Sequence, residues 1–342
     1  MKFFGQDNRL RKGSIVAKEW KIVQKLGEGG FGAVFKVVNV EDRSLAAFKI
    51  ETRKGKGSVL KLEAKVLRRL EDCPFVPQLL ASGKKPGYSY IVMSLLGPSL
   101  NKILKYYGKI CSISTQVRVG INALYAIKQL HDYGFIHRDL KPANMAVGPV
   151  GTPFFRFIHI FDFGLAREYI VTSYKDPPKM RRPRQKAHFR GTLRYCSVNT
   201  HEKGEQGRHD DLWCLMYMLI ELRGPLPWSK ARDRAAILEI KKNVDKEELL
   251  SNCPMEFVFI LEHLSTLNYY LRPNYLLIYE LLMQTMKAGR IRFSDPYDWE
   301  LKSEIHTTPV GSQTSSQTRS WALVREYNPF PAEFFSANPL GF

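Results

Sequence analysis

Cysteine is scarce in this chain, and acidic residues are outnumbered. The five cysteines, Cys73, Cys111, Cys196, Cys214 and Cys253, are odd in number, widely scattered and without C-x-x-C spacing. A disulfide framework and a zinc site are therefore not expected. No apolar run approaches the ~20 residues of a membrane span, and the stretch Met1 to Asp7 lacks the hydrophobic core of a signal peptide. No internal repeat is evident. These absences imply a reducing, intracellular setting, most simply the cytosol with the nucleus also open, and no membrane partner. With 52 Lys and Arg against 33 Asp and Glu in 342 residues, the net charge is +19. Such a charge informs about partners rather than about fold.

What the chain does contain is concentrated in short ordered runs. His137-Arg138-Asp139-Leu140-Lys141-Pro142-Ala143-Asn144 has the form H-R-D-L-x-x-x-N, and Asp162-Phe163-Gly164 follows after a strand-like Phe157-Ile158-His159-Ile160-Phe161. Either triplet alone could be a surface Arg–Asp pair or a Gly turn, but eight positions in register with a second motif downstream are specific. The chemistry they suit is phosphoryl transfer, in which the protein positions reactants and neutralises charge. Asp139 would accept the proton of an incoming hydroxyl, and Lys141 would face the transferring phosphate. Asn144 and Asp162 offer the hard oxygen ligands that Mg²⁺ prefers.

Upstream, Leu26-Gly27-Glu28-Gly29-Gly30-Phe31-Gly32-Ala33-Val34 fits G-x-G-x-x-G-x-V. A dinucleotide-binding fold shows a similar string, but here strands flank it on both sides, which suits a hairpin lying over phosphates. Lys49, in Ala46-Ala47-Phe48-Lys49-Ile50, is a cation inside an apolar strand and needs a partner. A helix predicted from Val59 to Leu70, capped by Ser58, places Val59, Leu62, Val66, Leu67 and Leu70 on one face with Glu63 on the same stripe. A buried Lys49–Glu63 pair explains both anomalies, the alternative being an edge carboxylate bridged to Lys61 or Lys65.

Together these runs resemble a eukaryotic protein kinase, and within that superfamily the casein kinase 1 group, most closely the tau-tubulin kinases. The closer likeness is carried by Leu95-Leu96-Gly97-Pro98-Ser99-Leu100, Phe189-Arg190-Gly191-Thr192-Leu193-Arg194-Tyr195-Cys196-Ser197-Val198-Asn199, Gly207-Arg208-His209-Asp210-Asp211-Leu212-Trp213, Leu226-Pro227-Trp228 and Ser294-Asp295-Pro296-Tyr297-Asp298-Trp299-Glu300. The resemblance implies an α+β bilobal kinase fold, a small strand-rich lobe with one key helix and a larger, mainly helical lobe. It implies ATP and Mg²⁺ as cofactors and a Ser or Thr hydroxyl as acceptor, in keeping with Lys141 two residues after Asp139. ATP would be lined by Leu26, Gly27, Gly29, Gly32, Val34, Ala47, Lys49, Met93 and Leu96, with main-chain groups of Ser94 and Leu96 meeting adenine although Ser94 replaces the usual Glu. Asp211 would brace the backbone around His137 and Arg138, unless it is an ordinary helix-start Asp. Ser197-Val198-Asn199 stands where A-P-E is usual, so Arg272, the late arginine that pairs with that Glu in most kinases, must be used differently. Lys49, Asp139, Asn144 and Asp162 all stand, which argues against a pseudokinase.

The expected organisation is a basic tail over residues 1–18, a kinase domain over 19–300 divided near Ser94 to Pro98 (lobes of about 19–94 and 95–300), and a tail over 301–342 that is polar and then apolar. Trp321, Phe330, Phe334, Phe335 and Phe342 are too apolar for a solvated tail, and intramolecular docking is favoured over a partner. In the large lobe, Ser114 to His131 reads as a helix with Val117, Ile121, Leu124, Ile127 and Leu130 at helical spacing, and Leu212 to Leu222, apolar nearly all round, as a helix buried in the lobe centre. Lys179 to Arg190 holds six basic residues and no acidic one. It is either a solvated basic loop or, with Arg190, Arg194 and Lys230, a site for acidic or already phosphorylated protein substrates, cytoskeletal ones such as tubulin included. Thr172, Ser173 and Tyr174 are candidate phosphosites, yet constitutive activity is favoured by the resemblance. A kinase-fold scaffold that binds acidic partners such as tubulin is the alternative function. No nucleic-acid reader motif is present, and a monomer is expected.

Overall fold

The computed structural model describes residues 10–29, 32–52, 58–149, 151–171, 177–301 and 328–342. They group into two compact units, one drawn from residues up to Leu96 with Asp162–Gly164, the other from Gly97–Phe161 and Leu165 onward. The candidate phosphosites Thr172, Ser173 and Tyr174, and Trp321, lie outside the described residues.

The first unit is an antiparallel sheet built from β1 (Ile15–Val16), β2 (Trp20–Gly29), β3 (Gly32–Asn39), β4 (Leu45–Glu51), β5 (Leu79–Lys85) and β6 (Tyr88–Ser94), in the order β1-β2-β3-β4-β6-β5. Burial alternates along β3, as period-two side-chain placement requires of a strand with one core face. Ala33, Phe35, Val37, Ala46, Phe48, Ile50 and Val92 form that core with Trp20, Ile22 and Val16. The basic tail expected over 1–18 is thus corrected in part: Val16 pairs with Trp20 and is buried in the core.

Helix α1 (Val59–Arg69) begins at Ser58, whose Oγ accepts from Lys61 N at 3.1 Å. Its buried face is Leu60, Glu63, Ala64, Val66 and Leu67. The expected stripe is therefore rotated: Val59 is 38 % exposed and Leu62 only half-buried, because small Ala64 and Leu60 take the inner positions.

The second unit is mainly helical, with α2 (Leu100–Tyr107), α3 (Ile113–Asp132), α4 (Val198–His201), α5 (Arg208–Glu221), α6 (Arg234–Asn243), α7 (Lys246–Leu249), α8 (Glu256–Ser265), α9 (Tyr275–Ala288), α10 (Asp298–Leu301) and α11 (Ala332–Ser336). Between α3 and α4 run short strands β7 (Phe135–Ile136), β8 (Met145–Val147), β9 (Ile158–Ile160), β10 (Arg167–Glu168), β11 (Ile170–Val171) and β12 (Lys179–Met180), paired β7–β10, β8–β9 and β11–β12. Helix α3 is central: Val117, Ile121, Leu124, Ile127 and Leu130 are fully buried, and it packs on α5 and α9. No helix among the described residues is long and apolar enough to cross a membrane.

Candidate active site

In the strand-rich unit, register gathers the predicted nucleotide-side residues. Val34 lies opposite Lys49, and Ala47 opposite Met93, so these four share the sheet face turned away from the aromatic core. Lys49 Nζ reaches Glu63 Oε2 at 2.7 Å and Asp162 Oδ1 at 2.8 Å. Burial opposes the lysine's charge, but the two carboxylates outweigh it and hold Lys49 above the usual lysine range. Glu63 is 1 % exposed, and burial pushes its carboxyl upward against the pull of Lys49. Asp162 itself sits at φ 68°, a left-handed conformation uncommon for a non-glycine residue.

Gly27 and Gly29 differ from Gly32 of the same run. Gly27 and Gly29 are exposed, with open space where a Cβ would stand. A Cβ on Gly32 would lie 1.8 Å from the Ile50 carbonyl oxygen. Gly32 is thus demanded by the β3–β4 ladder, whereas Gly27 and Gly29 leave room for a ligand. Leu26 and Val34 are half-buried beside them, and Leu96 closes the first stretch of this unit. Ser94 turns its hydroxyl to the residue preceding β5, accepting from Gln78 N at 2.9 Å.

Sequence reasoning missed Glu51. Its Oε1 accepts from Val59 N at 3.1 Å and its Oε2 from the Ser58 hydroxyl, so it supplies the negative charge that the first turn of α1 lacks. The strand of Lys49 thereby anchors the helix of Glu63. The signal available was an α1 first turn with no acid of its own and a Glu two residues after the lysine.

In the helical unit, Asp139 is the centre of a compact network. Lys141 Nζ donates to its Oδ2 at 2.7 Å, and the Thr192 hydroxyl donates to its Oδ1, also at 2.7 Å. Lys141 also reaches Thr192 Oγ1 at 3.1 Å. Asn144 Nδ2 donates to the Asp139 carbonyl at 2.9 Å, which turns the amide oxygen away from Asp139. In the sequence nothing sets Thr192 apart within Phe189 to Asn199. Its placement follows from Gly191 (φ 118°), where a Cβ would meet the Arg138 carbonyl oxygen at 2.7 Å.

Asp211 braces the loop. It accepts from His137 N at 2.6 Å and Arg138 N at 2.8 Å, and bonds His131 Nε2 at 3.0 Å. Arg138 (φ 70°) donates to Leu165 O at 2.6 Å, and burial beside Arg167 and Arg184 pushes its guanidinium down to about 10. Buried Glu205 ties Arg184 (2.8 Å) and Arg167 (3.4 Å).

The anchor that replaces A-P-E is local. The Ser197 hydroxyl and Asn199 Nδ2 both bond Asp210, the latter at 3.1 Å, while Lys241 Nζ donates to Leu193 O at 2.9 Å and also reaches Cys196 O. Arg272 donates instead to Ala337 O at 2.6 Å. Of the three candidate phosphate ligands, Arg190 and Lys230 are exposed, whereas Arg194 is engaged with Glu221 and Ser229 O.

Similarity to known proteins runs along the same residues. The protein kinase domain model matches residues 20–285. A Caenorhabditis elegans protein described as a "putative serine/threonine-protein kinase" is 42 % identical over 341 residues, 98 % of each chain. An inactive tau-tubulin kinase of the same organism is 34 % identical over 82 % of this chain and 95 % of its own. A casein kinase I homolog of Kluyveromyces lactis is 34 % identical over 84 % of this chain, which spans about half (54 %) of that relative's length. A chain that matches this model over most of its length, with relatives in the casein kinase 1 and tau-tubulin kinase groups, belongs to the protein kinase family.

Proposed function

We propose that the chain is an active serine/threonine protein kinase that uses ATP. The substrate hydroxyl would give its proton to Asp139 as its oxygen bonds the γ-phosphorus and the bond to the ADP oxygen breaks. The observation that carries this reading is the Asp139 carboxylate itself, which already accepts a hydroxyl hydrogen bond from Thr192 with Lys141 alongside. Mg²⁺ would be held by Asn144 and Asp162, hard-oxygen donors, and would neutralise phosphate charge when bound. Lys49, steadied by Glu63, would meet the phosphates; Gly27, Gly29 and Gly32 with Leu26 and Val34 would cover the nucleotide; Ala47, Met93 and Leu96 would line its base.

The finer substrate reading is that Arg190 and Lys230, which are exposed, receive an acidic or phosphorylated side chain, with Arg194 holding the loop through Glu221. Turnover of peptides with and without an upstream phosphoserine at equal kcat/KM would sink it. Cytosolic placement and a monomeric state belong to the same proposal.

The inactive tau-tubulin kinase among the relatives favours a second reading, a kinase-fold scaffold for acidic partners such as tubulin. Phosphate transfer from labelled ATP decides between them. Asp139→Asn is expected to lower kcat by ~10²–10⁴-fold, the usual worth of a general base. Equal transfer by both proteins would refute the mechanism, and no transfer by either would favour the scaffold.

A further inference from the structure

Residues 328–342 run across the helical unit and end against the catalytic loop's own strand. Phe330 and Phe335 are fully buried. Phe334 stacks on Tyr125 of α3 (ring centroids 4.0 Å) and Phe335 on Tyr279 of α9 (4.3 Å), while Tyr279 OH donates to Phe330 O at 2.9 Å. Lys128 Nζ lies 4.4 Å over the Phe334 ring. Midway, Arg272 bonds Ala337 O. Beyond it, Leu340 and Phe342 pack on a small cluster of Ile136, Tyr169, Ile170 and Met180.

That cluster has an unusual membership. Ile136 is the residue before His137-Arg138-Asp139, and it pairs with Arg167 in the β7–β10 ladder. Tyr169 and Ile170 continue from β10, and Met180 pairs with Ile170 across β11–β12. Four residues from the catalytic strand and from both arms of the segment between Asp162-Phe163-Gly164 and Gly191, the activation segment of a kinase, therefore share one apolar contact, closed over by Leu340 and Phe342. Arg208 joins it to α5: its guanidinium lies 4.9 Å over the Tyr169 ring and donates to Phe342 O at 2.7 Å, three residues before Asp211.

We propose that residues 328–342 are a positioning strap, which holds the catalytic strand and the activation segment in register so that Asp139 keeps its working geometry. The proposal rests on the kinase reading above. The aromatic part anchors the strap to α3 and α9, and Leu340–Phe342 delivers the restraint. Arg272, released from the usual A-P-E partner, secures the span between them.

The test uses the full-length chain with Leu340→Ala/Phe342→Ala, with Arg272→Ala, and with the conservative Phe342→Leu. Amide hydrogen exchange over residues 135–139 and 165–171 is measured beside kcat and KM for ATP and peptide. Faster exchange confined to those segments is expected for the first two, with kcat lowered ~10- to 100-fold, as misplacement of a reacting group does, and KM for ATP unchanged. Phe342→Leu should restore both readouts. Unchanged exchange in the double variant overturns the proposal, as does local loosening with unaltered kcat. Loosening spread evenly over the helical unit also overturns it, since the segment would then be a general stabiliser. Should the wild type transfer no phosphate, the kinase reading fails, and the exchange measurement alone judges the strap.

Discussion

Asp211 is 1 % exposed, and burial alone would raise its carboxyl. Its donors outweigh that cost, so it is held below the usual aspartate range. His131 is pushed the other way from protonation: burial lowers its pKa more than Asp211 raises it. A neutral His131 then donates through Nε2 to Asp211 and accepts from Tyr275 OH at Nδ1, 2.6 Å away. The acid behaviour follows. Below the unfolded imidazole value of 6.5, the unfolded chain binds a proton that the folded chain refuses, so stability falls as pH falls. His201, pushed down to about 4 chiefly by burial, acts in the same sense. Replacing His131 with Gln should cut the slope of unfolding free energy between pH 6.5 and 5 by up to ~1.4 kcal/mol per pH unit, whatever it does to the level at pH 7. Urea midpoints at three pH values measure it. An unaltered slope would mean that His131 titrates alike in both states.

At the scale of elements, the β2–β3 hairpin separates Gly32, which packing demands, from Gly27 and Gly29, which face open space and are proposed to cover a nucleotide. Gly32→Ala drives a Cβ into the Ile50 carbonyl and should cost ~1–3 kcal/mol, as overpacking does, with a lower melting temperature. Gly29→Ala meets open space, so its stability should stay within ~0.5 kcal/mol while KM for ATP rises. A Gly29→Ala protein with unchanged KM would remove that glycine from the nucleotide site. The contrast could not be read from G-x-G-x-x-G alone, because the string is the same for both purposes. Lys49 and Glu63, only 14 residues apart, were legible from one misplaced cation and one misplaced carboxylate on periodic elements. The inner face of α1 departs from its apolar stripe because Ala64, which adds little to that stripe, is buried there while Leu62 is only half-buried. Thr192 on Asp139, 53 residues away, and Arg272 on Ala337, 65 residues away, carry no such pattern. A hydroxyl or a main-chain carbonyl looks alike wherever it falls, and only the folding back of the chain selects one.

For the whole molecule, the useful quantity is the part of the +19 charge that remains outward. In the activation segment, Arg184 is tied to Glu205, and Arg181 to the Glu168 carbonyl at 3.0 Å; just beyond it Arg194 is tied to Glu221. Lys179, Arg182, Lys186 and Arg190 are exposed, as is Lys230. Internal pairs hold the segment's shape and, with their carboxylates largely buried, are screened less by salt, whereas exposed charges act over about 10 Å at 0.1 M ionic strength and about 3 Å at 1 M. Acidic peptides should therefore lose kcat/KM steeply with added salt, through KM rather than kcat, and neutral peptides should lose little. The triple change Arg182→Gln, Lys186→Gln, Arg190→Gln should flatten the salt dependence for acidic peptides and leave neutral-peptide turnover as it was. Arg184→Gln, by contrast, releases Glu205 and should lower kcat for both peptide classes without changing the slope. Equal salt slopes for acidic and neutral peptides in the wild type would show that the basic segment is only a solvated loop.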